Sequence, residues 1–334
     1  ELGNERDEMQ TLIDCMAEGV VAVTDGARIL RTNRAARELL DLPEAGSDAP
    51  VASIVRDPEL RAALEESAIG PISAREIQLG DRHFLLSSRP LDAGGAVSTF
   101  LDVSELRRLE HIRRDFVANA SHELKTPLTS IRGFAETLVE GDPPEELRAQ
   151  FVRSIYENAI RMQNLVEDLL DLSRLEAGRW ETELQSMPLG PSAGAAWAPS
   201  VDRASETAVV LDVVDGDLKV LADPQGLHQI FRNLLENALR HVGEGGTIRI
   251  AVTEGGAGFI EIAVSDDGEG IPAESLPRIF ERFYRADSAR AREVGGTGLG
   301  LAIVRHLVVA MGGSVSAESE LGRGTTIRFT LPKG

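Results

Sequence analysis

Two long apolar stripes in helical register dominate the middle of this chain, and two antiparallel helices cannot bury both by themselves. Leu106, Leu109, Ile112, Phe116, Ala120, Leu124, Ile131, Phe134 and Leu138 recur at three- and four-residue steps or multiples of them, the spacing of one α-helical face. Gly141-Asp142-Pro143-Pro144 breaks the pattern, and a second stripe of Ile155, Ala159, Met162, Leu165, Leu169 and Leu172 ends near Gly178. A pair of such hairpins closes a four-helix bundle. The expectation is therefore a homodimer. The alternative is a bundle completed within one chain by packing on a neighbouring domain.

Before the stripes the pattern is mixed. Residues 1–18 read as helical and charged, and Val20 to Thr24 as a strand. Asp25-Gly26 signals a tight hairpin, Ile29-Leu30 continue a second strand, and Asn33 is placed to cap a helix from Ala35 to Leu40. Pro43 to Pro50 reads as a loop, and three more strands are predicted near 74–79, 82–90 and 95–102. This small α+β region, from the Gly19-to-Asn33 hairpin to Phe100-Leu101-Asp102-Val103-Ser104, resembles a PAS sensor domain. Nothing in it marks a cofactor, and His83 stands alone on a strand.

After the stripes, Pro188, Pro191 and Pro199 among glycines and alanines make 187–200 read as a linker. Strands are predicted at 209–214, 219–221, 247–252, 259–264, 313–318 and 325–331, with helices from Pro224 to His241, opened by Asp223, and from Gly298 to Met311.

Charge and cysteine content narrow the function classes. The net charge of −19 argues against a nucleic-acid partner. A single Cys15 excludes an internal disulfide and a cysteine-based metal cluster, as suits a reducing cytoplasm. No apolar run is long enough to span a bilayer. The chain begins at Glu1 without an initiator methionine, as a fragment or a processed form does, so an upstream membrane anchor stays open. The expected location is cytoplasmic, including as the cytoplasmic part of an inner-membrane protein.

Inside the first stripe lies Ser121-His122-Glu123-Leu124-Lys125-Thr126-Pro127-Leu128. Imidazole is a usable nucleophile near neutral pH. It attacks through one nitrogen, and an acceptor such as Glu123 fixes the proton on the other. Pro127 has no N–H, so the Glu123 carbonyl loses its helical partner and the helix should kink or loosen beside His122. His111 lies on nearly the same face without a following carboxylate or proline, and serves as an internal control.

Three further motifs follow. Asn233 and Asn237 share one face of a helix, one turn apart. Asp266-Asp267-Gly268-Glu269-Gly270 leaves a strand with glycines that let backbone approach a flat ligand. Gly296-Thr297-Gly298-Leu299-Gly300 opens an apolar helix, whose N-terminal N–H groups suit phosphate. Each is weak alone, and the last lacks the Gly-Lys-Ser/Thr of a P-loop.

In this order, the four motifs resemble those of bacterial two-component sensor histidine kinases, and the Arg114-to-Asn119 surroundings look most like the phosphate-regulon type. The resemblance implies a multidomain α+β chain. It would comprise a PAS-like sensor domain (1–103), a helical hairpin forming a dimeric four-helix bundle (104–178), and an α/β sandwich of the gyrase/Hsp90/histidine-kinase/MutL ATPase type (179–334). It implies ATP and Mg²⁺ as cofactors, a homodimer, and a response-regulator receiver domain as partner. Carried over to this sequence, His122 is the phosphoacceptor and Glu123 its adjacent carboxylate. Asn237 is the magnesium ligand, Asn233 supports the phosphates, and Arg240 and His241 flank the nucleotide. Asp266 reads adenine beside Gly268 and Gly270, and Thr297, Gly298, Leu299 and Gly300 bind phosphate. Ile279 to Arg285, with Tyr284 and Arg285 toward the nucleotide, leads into a lid of about 285–296. There Arg285 reaches the phosphates, while Arg290 and Arg292 are solvated. The Glu123-x-x-Thr126 spacing resembles that of members that also dephosphorylate their regulator. Two other classes stay open: a gyrase/Hsp90/MutL-type ATPase, disfavoured by Asn233 where those enzymes carry a water-activating glutamate, and a non-catalytic sensor scaffold.

Overall fold

In the computed structural model, which describes residues 11–43, 48–214, 216–286 and 296–334, contacts divide the chain into two units, Glu1–Asp115 and Phe116–Gly334. The dividing point falls inside one helix, Ser104–Glu140.

The first unit is built on a six-stranded antiparallel sheet. Strands β1 (Gly19–Val23), β2 (Arg28–Thr32), β3 (Ala49–Pro50), β4 (Arg75–Leu79), β5 (Arg82–Pro90) and β6 (Ala96–Asp102) lie in the order β3-β2-β1-β6-β5-β4. Alternation sets its inner face, with Val21, Val23, Phe84, Leu86 and Phe100 buried. Asn33 holds the corner after β2. Its side-chain oxygen accepts from Val20 N and Ala36 N, both at 2.8 Å, and its amide donates to the carbonyls of Ile13 at 3.0 Å and Glu18 at 2.8 Å. It thereby caps α1 (Arg34–Leu39), as its position predicts. Helix α2 (Val51–Ile54) is short, and α3 (Pro58–Ile69) buries Leu60, Ala63, Leu64 and Ser67 on one face. The reading of the sequence passed over α3, although Asp57 caps it and Pro58 occupies its first turn. Likewise β3 forms within the stretch expected as loop. Of the expected N-terminal helix, 11–14 is helical and 1–10 lies outside the described residues.

Helix α4 (Ser104–Glu140) runs on through Pro127, its one buried residue. The expected loosening there leaves no interruption in the helix.

The second unit pairs this helix with α5 (Glu145–Glu176). Beyond it, β8 (Val210–Val214), β10 (Thr247–Glu254), β11 (Phe259–Asp266), β12 (Val315–Glu320) and β13 (Gly324–Pro332) form a sheet in the order β12-β13-β11-β10-β8, with only β8 and β10 parallel. Strands β7 (Gln185–Pro188) and β9 (Lys219–Ala222) make a separate ribbon. Helices α6 (Leu189–Trp197), α7 (Val201–Glu206), α8 (Pro224–His241) and α9 (Gly300–Ala310) complete it. Ile230, Phe231 and Leu234 of α8, Ile303 and Leu307 of α9, and Ile250, Ile262 and Phe329 of the sheet share one core, and Leu165 and Leu172 of α5 belong to it.

The linker expected over 187–200 is thus a correction, since β7 and α6 occupy it. Leu189, Ala193 and Ala196 of α6 are buried at helical spacing. Pro191 is tolerated because it stands in the first turn, where an N–H has no helical partner.

Candidate functional site

Helix α8 sets the site. Asp223 caps it, accepting from Gly226 N at 2.7 Å. Leu227, Ile230, Phe231, Leu234, Leu235 and Ala238 are buried. The helical period leaves Asn233, Asn237 and Arg240 half-buried at the margin. There α8 meets both glycine motifs. Asn233 Nδ2 donates to the Gly300 carbonyl at 3.4 Å. The His241 carbonyl accepts from Glu269 N at 3.3 Å, and its ring Nδ1 lies 2.8 Å from Glu269 Oε1.

Asp266 ends β11, half-buried. Its Oδ1 accepts from Gly268 N at 3.0 Å and Thr325 N at 3.3 Å. Burial pushes this carboxyl above the ordinary range, against the two amides. With both amides on Oδ1, Oδ2 is left to accept from a ligand. The Thr325 amide, on β13, belongs to none of the motifs singled out in the sequence.

The glycines are sterically required. A Cβ on Gly268 would stand 2.4 Å from the His241 carbonyl oxygen. Gly270, at φ +73°, would put one 2.2 Å from the Glu320 oxygen. Gly298, at φ +72°, lies against Phe283, whose N–H donates to its carbonyl at 2.8 Å. This turn delivers the chain to α9, with Leu299 buried as its N-cap and the N–H groups of its first turn free of helical partners. Arg240 stands beside Gly296. Burial lowers its pKa, and its Nε is buried without a hydrogen-bond partner. Tyr284 carries the Arg278 guanidinium 4.4 Å over its ring. Of the expected lid, 287–295 lies outside the described residues, Arg290 and Arg292 included.

On α4, His122 is exposed, and the Thr126 hydroxyl donates to its carbonyl at 3.3 Å. Glu123 faces arginines, with Arg285 Nη2 at 3.5 Å and Arg161 Nη2 at 3.9 Å from Oε2. Arg285, expected at the phosphates, is thus paired with the carboxylate beside the histidine. Further contacts join the hairpin to the sheet region. Arg282 bonds Glu176 at 2.6 Å, the Phe116 and Phe283 rings lie 5.7 Å apart, and Thr297 bonds Asp168 at 3.1 Å. Asp168 escaped the sequence reading. Its signal is a carboxylate standing between Leu165 and Leu172 on the apolar stripe.

A nucleotide fits these residues. The glycine cradle, the spare Asp266 oxygen and the unpartnered Arg240 Nε offer space, an acceptor and a cation. No group of three or more His, Cys, Asp or Glu side chains able to hold a metal occurs among the described residues. A single amide oxygen from Asn237 suits a magnesium ion held mainly by water and phosphate.

Family comparisons agree with this geometry. Residues 222–334 match the histidine kinase-, DNA gyrase B- and HSP90-like ATPase family, 112–178 the His Kinase A (phospho-acceptor) domain, and 8–71 a PAS domain. The sensor histidine kinase WalK of Bacillus subtilis is 34% identical over 98% of this chain. The chain belongs to the bacterial two-component sensor histidine kinases. Sensor protein SrrB of Staphylococcus aureus is 28% identical over 99% of this chain. The chain spans 56% of WalK and 57% of SrrB. The solved histidine kinase ThkA, in complex with response regulator protein TrrA, shares the fold, with TM-score 0.53 and 23% identity over 95% of this chain and 96% of its own. No described helix is long and apolar enough to cross a membrane.

Proposed function

We propose that this chain phosphorylates its own His122 from Mg-ATP and passes the phosphoryl group to an aspartate of a response-regulator receiver domain. The observation that carries the reading is the meeting of Asn233 with Gly300 and of His241 with Gly268 and Glu269. It brings three separate stretches, 233–241, 266–270 and 296–300, together in a chain that also bears the His122 octet.

The roles follow from chemistry. Asp266 accepts the exocyclic amine of adenine beside Gly268 and Gly270. Arg240, His241 and Tyr284 flank the nucleotide, and Asn237 offers an oxygen to Mg²⁺. Thr297, Gly298, Leu299 and Gly300 present donors to phosphate, and Arg285 supplies a cation once it leaves Glu123. ATP supplies the phosphoryl group. His122 attacks it with one ring nitrogen, and Glu123 accepts a hydrogen bond from the other and so stabilises the charge that develops on the ring. The protein's contribution is positioning and charge neutralisation. Asn233 uses its amide as a donor to Gly300, which a carboxylate cannot do and which suits support better than water activation.

The proposed domains are 1–103 for sensing, 104–178 for dimerisation and phosphotransfer, and 179–334 for nucleotide binding. A homodimer is supported by the apolar residues that α4 and α5 expose, Leu128 at 55% and Tyr156 at 67% among them. We place the chain in the cytoplasm, as the cytoplasmic part of an inner-membrane protein.

Incubation with γ-labelled ATP tests the reading. Label should be acid-labile, alkali-stable and absent from His122→Gln. Label retained at His111 in that variant would overturn the assignment.

A further inference from the structure

Asp168 sits one turn from both Leu165 and Leu172 on α5 and shares their buried face. It is 7% exposed, against 2% and 0% for the two leucines. An ionised carboxylate on such a stripe is costly unless it is bonded. Its Oδ2 accepts the Thr297 hydroxyl at 3.1 Å, and the Leu299 amide in turn donates to the Thr297 oxygen at 3.3 Å. Arg232, the residue before Asn233, brings Nη2 to 3.9 Å from Oδ1, and Asp171 and Glu236 add negative charge nearby.

Donor counting gives this contact a consequence. A hydroxyl has one proton to donate, so a Thr297 hydroxyl turned to Asp168 is not turned to a phosphate. The same holds for the Leu299 amide while it is aimed at Thr297. An ionised carboxylate within bonding distance of the loop also repels an approaching phosphate. Glu123 acts in the same sense by engaging Arg285.

We propose that Asp168 is a built-in competitor for the phosphate-binding loop: from the helical hairpin it holds Thr297, and a nucleotide phosphate must displace it. This rests on the nucleotide reading above and adds regulation of the same loop. While the bond stands, the hairpin and the loop are locked together. Nucleotide binding and release of the hairpin are then one event, so ligand affinity reports the strength of the lock.

The test is calorimetric titration of the whole chain, as parent, Asp168→Ala and Asp168→Asn, with Mg-ATP and with adenosine. Asp168→Ala should tighten ATP by roughly three- to ten-fold, the worth of one hydrogen bond. Adenosine, which carries no phosphate, should bind both proteins equally and so report an intact pocket. Asp168→Asn keeps an acceptor for Thr297 and loses only the charge, so it should tighten ATP less than Asp168→Ala does. Hydrogen exchange in 165–176 without nucleotide should rise in Asp168→Ala alone. Equal or weaker ATP binding by Asp168→Ala, or tightening in both variants alike, would overturn the competitor role. Failure of the parent to bind ATP would overturn the nucleotide reading and this inference with it, and is recognisable without any variant.

Discussion

Arg285 Nη2 lies 3.5 Å from Glu123 Oε2, although 162 residues separate the two. Both side chains are largely shielded, at 13% and 24% exposure, and Arg161 approaches the same oxygen. A carboxylate held by two guanidinium groups is a poor acceptor for an imidazole N–H. In the proposed reaction, phosphorylation of His122 requires this pair to part, and each partner then needs a new counterpart, because a shielded charge left alone is costly. Arg285 finds one in phosphate and Glu123 in the histidine ring.

Base selectivity should follow the Asp266 carboxylate. The Gly268 and Thr325 amides both point at Oδ1. In Asp266→Asn they hold the carbonyl oxygen, so the new NH₂ faces the ligand as a donor. ATP affinity should fall roughly ten- to hundred-fold, and the preference for ATP over GTP should narrow, because guanine offers an acceptor there. Asn237→Ala should weaken Mg-ATP while leaving adenosine unchanged. Unaltered ATP and GTP titrations in both variants would contradict the pocket.

Thr126 is expected to matter for dephosphorylation more than for phosphorylation. Its hydroxyl is exposed and spends its proton on the His122 carbonyl at 3.3 Å. Rotation about χ1 frees it to position a water against a regulator's acyl phosphate. Thr126→Ala should retain most autophosphorylation and slow regulator dephosphorylation by roughly a hundred-fold, the lower end for a positioned proton-transfer group. Equal dephosphorylation rates would remove the phosphatase role and leave the kinase reading untouched.

Acid should relieve the cost of burying Asp168. Burial raises its pKa from 3.8 to about 6, while the Thr297 bond and Arg232 oppose the rise because both favour the ionised form. Folding therefore takes up a proton at this carboxyl. Its contribution is fully present below about 3.8 and is lost as pH rises through about 6. Asp168→Asn does not titrate, so the parent should gain stability relative to it in urea unfolding as the pH is lowered from about 7.5 to 5.5, a window spanning that shift. A constant difference between the two would sink the assignment.

Asn33 should be the most sensitive polar residue of the first unit. Asn33→Ala removes a cap and leaves two backbone donors and two carbonyls without their partner, at about 2–4 kcal/mol. Asn33→Asp keeps the two accepted bonds and should lose about half as much by the same reckoning. Urea unfolding followed by circular dichroism gives both values. A loss below about 1 kcal/mol for Asn33→Ala would contradict this bond network.

What the sequence made legible was local. The cap at Asn33, the cap at Asp223 and the alternation along β4, β5 and β6 are set by neighbours in the chain. The parallel pairing of β8 with β10 was not legible, since it depends on contacts across the sheet. Helix α6 was hidden because Pro191 and two glycines outweighed the apolar spacing of Leu189, Ala193 and Ala196. The candidate site divided in the same way. Its glycines and asparagines stood in recognisable motifs, whereas Asp168 and Thr325 entered through tertiary contact. The partner of Arg285 could not be read at all, because that arginine carries the same chemistry toward a phosphate and toward Glu123.

On the proposed reading, Arg240 makes the nucleotide a folding ligand as well as a substrate. Its guanidinium is buried beside Gly296 with an unpartnered Nε, so the fold alone bears the cost of removing that cation from water. An anion that reaches it offsets the cost only in the folded state. Resistance to heat should then climb with ATP concentration by mass action, reaching about 2.7 kcal/mol at a hundredfold excess over Kd. The nucleotide supply would thereby help to set how much of this chain is folded at a given temperature.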